Sequence, residues 1–127
     1  LMVGIVLASH SRALAEALRD YTRVVAPDAA VAVAGGMPNG SCGTSYVRVR
    51  AAIAEVSGPD GVVVLPDMGA SAAVVKMVLA DLADPGVVMA DCPFVEGAVE
   101  ATVQAQAGTP LGPIMESLSS LRSLRKF

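Results

Sequence analysis

The chain has 127 residues, 54% hydrophobic and only 3% aromatic, with a formal net charge of −3. That length fits one domain whose core is built from Val, Ala, Leu and Met. The acidic balance leaves no basic stripe for nucleic acid, and charge, Gly or Pro interrupts each apolar run before membrane-spanning length. The start, Leu1-Met2-Val3, has no basic n-region of a signal peptide, so a cytoplasmic protein is the expectation. Cys42 and Cys92 are then expected as free thiols rather than a bridge.

In chain order, residues 2–8 form an apolar run that reads as a buried strand and ends abruptly in Ser9-His10-Ser11. Arg12 to Val25 follows as a helix with Leu14, Leu18, Tyr21 and Val25 on its apolar stripe. Ala30–Ala34 is a second strand, closed by Gly35-Gly36, and Met37 to Gly43 is a loop rich in turn residues. Thr44 or Ser45 can cap a second helix, whose inner face is Tyr46, Val49, Ile53 and Val56. After the breaker Ser57 to Gly61, Val62–Leu65 is a third strand, apolar throughout and so buried on both faces.

Pro66 to Ser71 connects to a third helix with Ser71, Val75, Val78 and Leu82 inside and Lys76 and Asp81 outside. Asp84-Pro85-Gly86 turns the chain into a fourth strand, Val87–Ala90. Asp91, a candidate cap, precedes a fourth helix with Val95, Ala98, Val99, Thr102 and Val103 inward and Glu96, Glu100 and Gln104 outward. Gly108-Thr109-Pro110 breaks it. The domain is therefore placed at residues 1–107. Residues 108–127, with Leu111, Ile114, Leu118 and Leu121 near helical spacing, are a last helix on the core, a dimer contact or a frayed tail. Arg122, Arg125 and Lys126 look solvated.

Strands alternating with helices through short connections predict an α/β fold: a doubly wound, mostly parallel four-stranded sheet with helices on both faces. Right-handed crossovers favour the order 2-1-3-4. That order makes the first and third strands neighbours at the point where the winding reverses, which is where such sheets bind ligands. It brings His10, the only histidine, beside Asp67.

The groups expected at this end of the sheet suit one chemistry. Asp67 can hold one ring nitrogen of His10 and fix its tautomer. Ser9, Ser11, Thr44 and Ser71 add hydroxyls, and the helix starts near Ser11, Thr44 and Ala70 add backbone amides that bind anions without Lys or Arg. A carboxylate-held imidazole among such amides can accept and donate a phosphoryl group. Against this stand plainer roles: a polar junction residue for His10, a turn or cap for Asp67, a cap for Thr44 and a loop thiol for Cys42. Ser71 also lies in a partial nucleophile elbow, Gly69-Ala70-Ser71-Ala72-Ala73, which lacks its second Gly. One histidine without clustered carboxylates or thiols makes no metal site. Without a dinucleotide fingerprint or Walker lysine, no cofactor is expected.

Several of these segments resemble the mannose-type IIA domains of the bacterial phosphotransferase system, beginning with Gly4-Ile5-Val6-Leu7-Ala8-Ser9-His10-Ser11. Gly43-Thr44-Ser45, Pro66-Asp67-Met68-Gly69-Ala70-Ser71-Ala72 and, above all, Cys92 to Ala105 are similar to one branch, the DhaM subunits of dihydroxyacetone kinases. The likeness runs from residue 3 to about residue 107. It implies a phosphotransferase of the PEP–glycerone type in which His10 is phosphorylated and Asp67 orients it. Gly43, Thr44, Gly69, Ala70 and Ser71 would line the phosphoryl pocket. It further implies a homodimer, loaded by HPr and discharged to ADP on the DhaL subunit while DhaK holds dihydroxyacetone. The alternatives are a IIA domain of a mannose-family sugar permease, a Ser71/His10/Asp67 hydrolase and a regulatory module without turnover. Cys42 stands where the resemblance leads one to expect an aliphatic residue.

Overall fold

Two neighbouring strands, β1 (Gly4–Ser9) and β3 (Val62–Pro66), form the centre of the computed structural model, which describes residues 2–127. Leu1, the first residue of the expected domain, lies outside the described residues. The remaining elements are α1 (Arg12–Val25), β2 (Val31–Gly35), α2 (Tyr46–Val56), α3 (Gly69–Leu82), β4 (Val87–Met89), α4 (Phe94–Gln106) and α5 (Leu111–Ser120). The sheet is four-stranded in the order β2-β1-β3-β4, with every pair parallel, as the alternating pattern predicts.

The period-two alternation of β1 divides the core. Ile5 and Leu7 face Leu18 of α1, Ala98, Ala101 and Ala105 of α4, and Ile114 and Leu118 of α5. Val6 and Ala8 face Val49 and Ile53 of α2 and Val75 and Val78 of α3. Burying each of the larger aliphatic side chains contributes about 1.5–3 kcal/mol. Leu111–Ser120 thus adds a helix to the core, with Ile114 and Leu118 fully buried, while residues 122–127 beyond it are exposed.

Two helix faces differ from their hydrophobic stripes. In α1 the buried residues are Ala15, Leu18 and Thr22, whereas Leu14 is 40% and Tyr21 53% exposed. In α4 they are Gly97, Ala98, Ala101, Thr102 and Ala105, and Val95 and Val103 face outward. The physical reason is close approach. A Cβ on Gly35 would lie 2.7 Å from the Arg12 Cα and 2.9 Å from the Ala15 Cβ. A Cβ on Gly97 would lie 2.5 Å from the Cys92 Sγ and 2.9 Å from the Leu65 Cδ2. Small residues let these helices lie against the sheet, and the large ones turn aside.

Caps also differ. Ser45, not Thr44, caps α2 by accepting the Arg48 N–H at 3.2 Å, while Ser11 caps α1 by accepting the Leu14 N–H at 3.2 Å. Asp91 caps nothing; the residue before α4 is Pro93, and Asp91 instead lies 3.8 Å from Arg122. Lys126 lies 2.9 Å from Glu96 in the first turn of α4, so two of the three C-terminal bases face carboxylates in or just before that helix.

Candidate functional site

The site begins with the strand register. Ala8 of β1 is opposite Pro66 of β3, and the Asp67 N–H donates to the Ala8 carbonyl at 3.0 Å. β1 runs one residue past that pair, to Ser9, so His10 follows β1 just beyond the level at which Asp67 follows β3. The Nδ1 of His10 lies 2.5 Å from the Asp67 Oδ2. The imidazole is 34% exposed and the carboxylate 3%.

Asp67 accepts five hydrogen bonds. Oδ2 takes the His10 ring, the Ser9 hydroxyl at 2.8 Å and the His10 backbone N–H at 3.3 Å. Oδ1 takes the Ser71 hydroxyl at 2.5 Å and the Met68 N–H at 2.8 Å. Burial opposes its ionisation, but the hydrogen bonds from Ser71, Ser9 and His10 outweigh burial and hold the carboxyl below the usual aspartate range. An ionised Asp67 accepts only, so Nδ1 carries the proton toward it. The other ring nitrogen, Nε2, is then the unprotonated one in the neutral imidazole.

Each remaining residue singled out in the sequence has a defined place. Ser9 is fully buried; its hydroxyl donates to Asp67 and accepts the Ser11 N–H at 3.0 Å. Ser11 is the α1 cap. Gly43 donates its N–H to the His10 carbonyl at 2.8 Å, pinning the 37–43 loop to the histidine. Its φ of +141° and the Met37 Cγ, 3.0 Å from where a Cβ would be, restrict that position to glycine. Thr44, released from capping, places Oγ1 2.6 Å from the Ser71 Oγ. Gly69 and Ala70 are exposed in the first turn of α3, and Ser71 in the same turn is buried. First-turn N–H groups of a helix have no intrahelical acceptor, so those of Arg12 and Ala13 in α1 and of Gly69 and Ala70 in α3 are available to an anion.

Ser71 does not pair with His10: its hydroxyl bonds to Asp67 and Thr44, which is not the arrangement of a serine nucleophile beside its base. Two partners of Asp67, the Met68 N–H and the Ser9 hydroxyl, are not among those expected from the sequence. An aspartate two residues before a helix start was the available signal for the former. Among the described residues no group of three or more His, Cys, Asp or Glu could hold a metal ion. Cys42 is exposed and Cys92 half-buried, both free. Burial first, then the charges of Asp91 and Glu96, push the Cys92 thiol up to about 11.

Residues 4–114 match the EIIA-man family, described as PTS system fructose IIA component. The chain is 32% identical to the Lactococcus lactis phosphotransferase subunit DhaM of PTS-dependent dihydroxyacetone kinase, over 93% of this chain and 94% of that one. A Listeria innocua phosphoryl donor subunit DhaM is 31% identical over 81% of this chain and 82% of its own length. The Escherichia coli phosphoryl donor subunit DhaM is 32% identical over 98% of this chain, which spans only 28% of that longer protein. In fold the chain is similar to the crystal structure of EF1359, a protein of unknown function, with a TM-score of 0.85, 18% identity and coverage of 100% of this chain and 99% of that one. No helix among the described residues is long and apolar enough to cross a membrane.

Proposed function

The chain belongs to the mannose-type IIA family of the phosphotransferase system, within its branch of DhaM-type subunits, and on that premise we propose that it is a phosphohistidine carrier serving a dihydroxyacetone kinase. The observation that carries this reading is the His10–Asp67 pair: Nδ1 is held at 2.5 Å and Nε2 is left as the nucleophile on a part-exposed ring.

In the proposed reaction the Nε2 lone pair attacks the phosphorus of a phosphohistidine on the donor, HPr. The new N–P bond forms as the donor's N–P bond breaks, and that electron pair returns to the donor ring. Asp67 stabilises the positive charge that develops on the His10 ring through the Nδ1 proton. Backbone amides at the starts of α1 and α3 receive the phosphoryl oxygens. Discharge reverses these steps toward ADP on DhaL, while DhaK holds dihydroxyacetone. The carrier works in the cytoplasm as a homodimer, and no cofactor enters the transfer.

The reading is tested by loading the chain with radiolabelled phosphoryl groups and offering two acceptors. Label passing to ADP on DhaL, and on to dihydroxyacetone when DhaK is added, is the expected result. Label passing instead to the IIB domain of a mannose-family permease would overturn the kinase assignment.

A further inference from the structure

We propose that Ser71 is a positioning residue for transfer at His10: it fixes the Asp67 carboxylate so that Nδ1 keeps its proton and Nε2 stays free, a role that rests on the carrier reading. It is thus a second support for the carboxylate, reaching it from α3 as Ser9 does from β1.

The direction of its hydrogen bonds follows from counting protons. Ser71 has one hydroxyl proton and two partners, the Asp67 Oδ1 at 2.5 Å and the Thr44 Oγ1 at 2.6 Å. An ionised carboxylate cannot donate, so the Ser71 proton points to Asp67. Thr44 must then donate to Ser71. The result is a directed chain, Thr44 to Ser71 to Asp67, which meets the His10 ring on the other carboxylate oxygen. Ser9 and Ser71 hold opposite oxygens of the carboxylate from opposite elements. Rotation about the Cβ–Cγ bond of an aspartate is otherwise soft, and two donors on different oxygens restrict it.

Proton direction also separates this role from phosphoryl binding. Ser71 is 1% exposed and its only proton is engaged, as is that of Thr44. In the unphosphorylated protein neither hydroxyl has a proton to offer an incoming phosphoryl oxygen. The donors that remain are the backbone N–H groups of the helix starts and the hydroxyl of Ser11, whose oxygen accepts the Leu14 N–H and whose proton is not engaged.

The test is a double-mutant cycle of Ser71→Ala and Asp67→Asn, read by two measurements on the full chain. The first is exchange of the His10 Nδ1–H by ¹⁵N-edited NMR, which needs no phosphoryl donor. The second is kcat and KM for phosphoryl acceptance from phosphorylated HPr. Ser71→Ala is expected to speed Nδ1–H exchange at least about tenfold and lower kcat about tenfold, with KM for the donor unchanged. In the Asp67→Asn background, Ser71→Ala should lower kcat less than about twofold. Ser71→Thr, which keeps the hydroxyl, should restore most of the loss. Equal losses in both backgrounds, or slow transfer with unaltered Nδ1–H exchange, would mean that Ser71 touches the phosphoryl group or serves packing alone, and would overturn the proposal. A wild-type chain that accepts no phosphoryl group overturns the carrier reading and this role with it. In that case the exchange measurement still reports whether Ser71 supports the Asp67–His10 pair.

Discussion

The Asp67 carboxylate holds the His10 ring by the same oxygen that accepts the His10 backbone N–H, so side chain and main chain of one residue share one anchor. The ring is thereby fixed relative to its own strand, β1, by a residue at the end of the neighbouring strand, β3. Any change at Asp67 should act on ring orientation before it acts on the fold.

Replacing Asp67 by Ala should accordingly slow phosphoryl acceptance by about 10–100-fold without abolishing it. This corresponds to the ~1.5–3 kcal/mol typical of a hydrogen bond to a charged group. Rapid-quench kinetics with phosphorylated HPr measure it. Acceptance at the wild-type rate would remove Asp67 from the mechanism.

The same carboxylate predicts a pH dependence of stability. Its pKa in the folded protein lies below the ordinary 3.8, because the hydrogen bonds from Ser71, Ser9 and His10 overcome burial. The unfolded chain therefore binds the proton more readily, and this contribution to stability rises with pH. It is complete at pH values above the ordinary pKa and is lost as pH falls through the folded-state value. Urea unfolding from about pH 6 down to about pH 3 should show wild type losing more stability than Asp67→Asn. Parallel curves would contradict the hydrogen-bonded carboxylate.

Gly97→Ala should destabilise the protein by about 1–3 kcal/mol, since the added methyl meets the Cys92 and buried Leu65 side chains in a packed contact. Its Cβ would lie 2.5 Å from the Cys92 Sγ and 2.9 Å from the Leu65 Cδ2. A lower urea midpoint with retained phosphorylation at His10 is the expected pair of results. An unchanged midpoint would show that α4 can shift to admit the methyl.

The two cysteines should differ in reactivity. With the Cys92 thiol pushed up to about 11 by burial and two nearby carboxylates, very little thiolate exists at pH 8. Cys42 is exposed in its loop. Iodoacetamide at pH 8, followed by peptide mass spectrometry, should label Cys42 at least about tenfold faster than Cys92. Equal labelling would mean that the contact between α4 and the β4 end opens readily.

How much of this was legible in the sequence varies by element. The sheet order could be reasoned out because Val62–Leu65 and the first strand are apolar throughout and the connections are short; the observed order follows that reading. The meeting of His10 and Asp67 was a consequence of the same topology. Helix faces were less legible, because Leu14, Tyr21, Val95 and Val103 satisfy the hydrophobic period while Ala15, Gly97, Ala101 and Ala105 make the contact. Periodicity weighs a residue by hydrophobicity, whereas close packing on a sheet selects for small size. The hydroxyl roles were the least legible. Ser9, Thr44 and Ser71 could be placed near the site, but a serine that binds an anion and one that steadies a carboxylate look alike in sequence. Only the direction of each proton separates them.

The most direct test of the central claim is to incubate the chain with phosphoenolpyruvate, enzyme I and HPr and to record its intact mass. One added phosphoryl group is expected, lost in acid, stable in base and absent from His10→Ala, with the variant still folded. Carriers shown to be active that leave the wild-type mass unchanged, or a phosphoryl group that persists in His10→Ala, would contradict it.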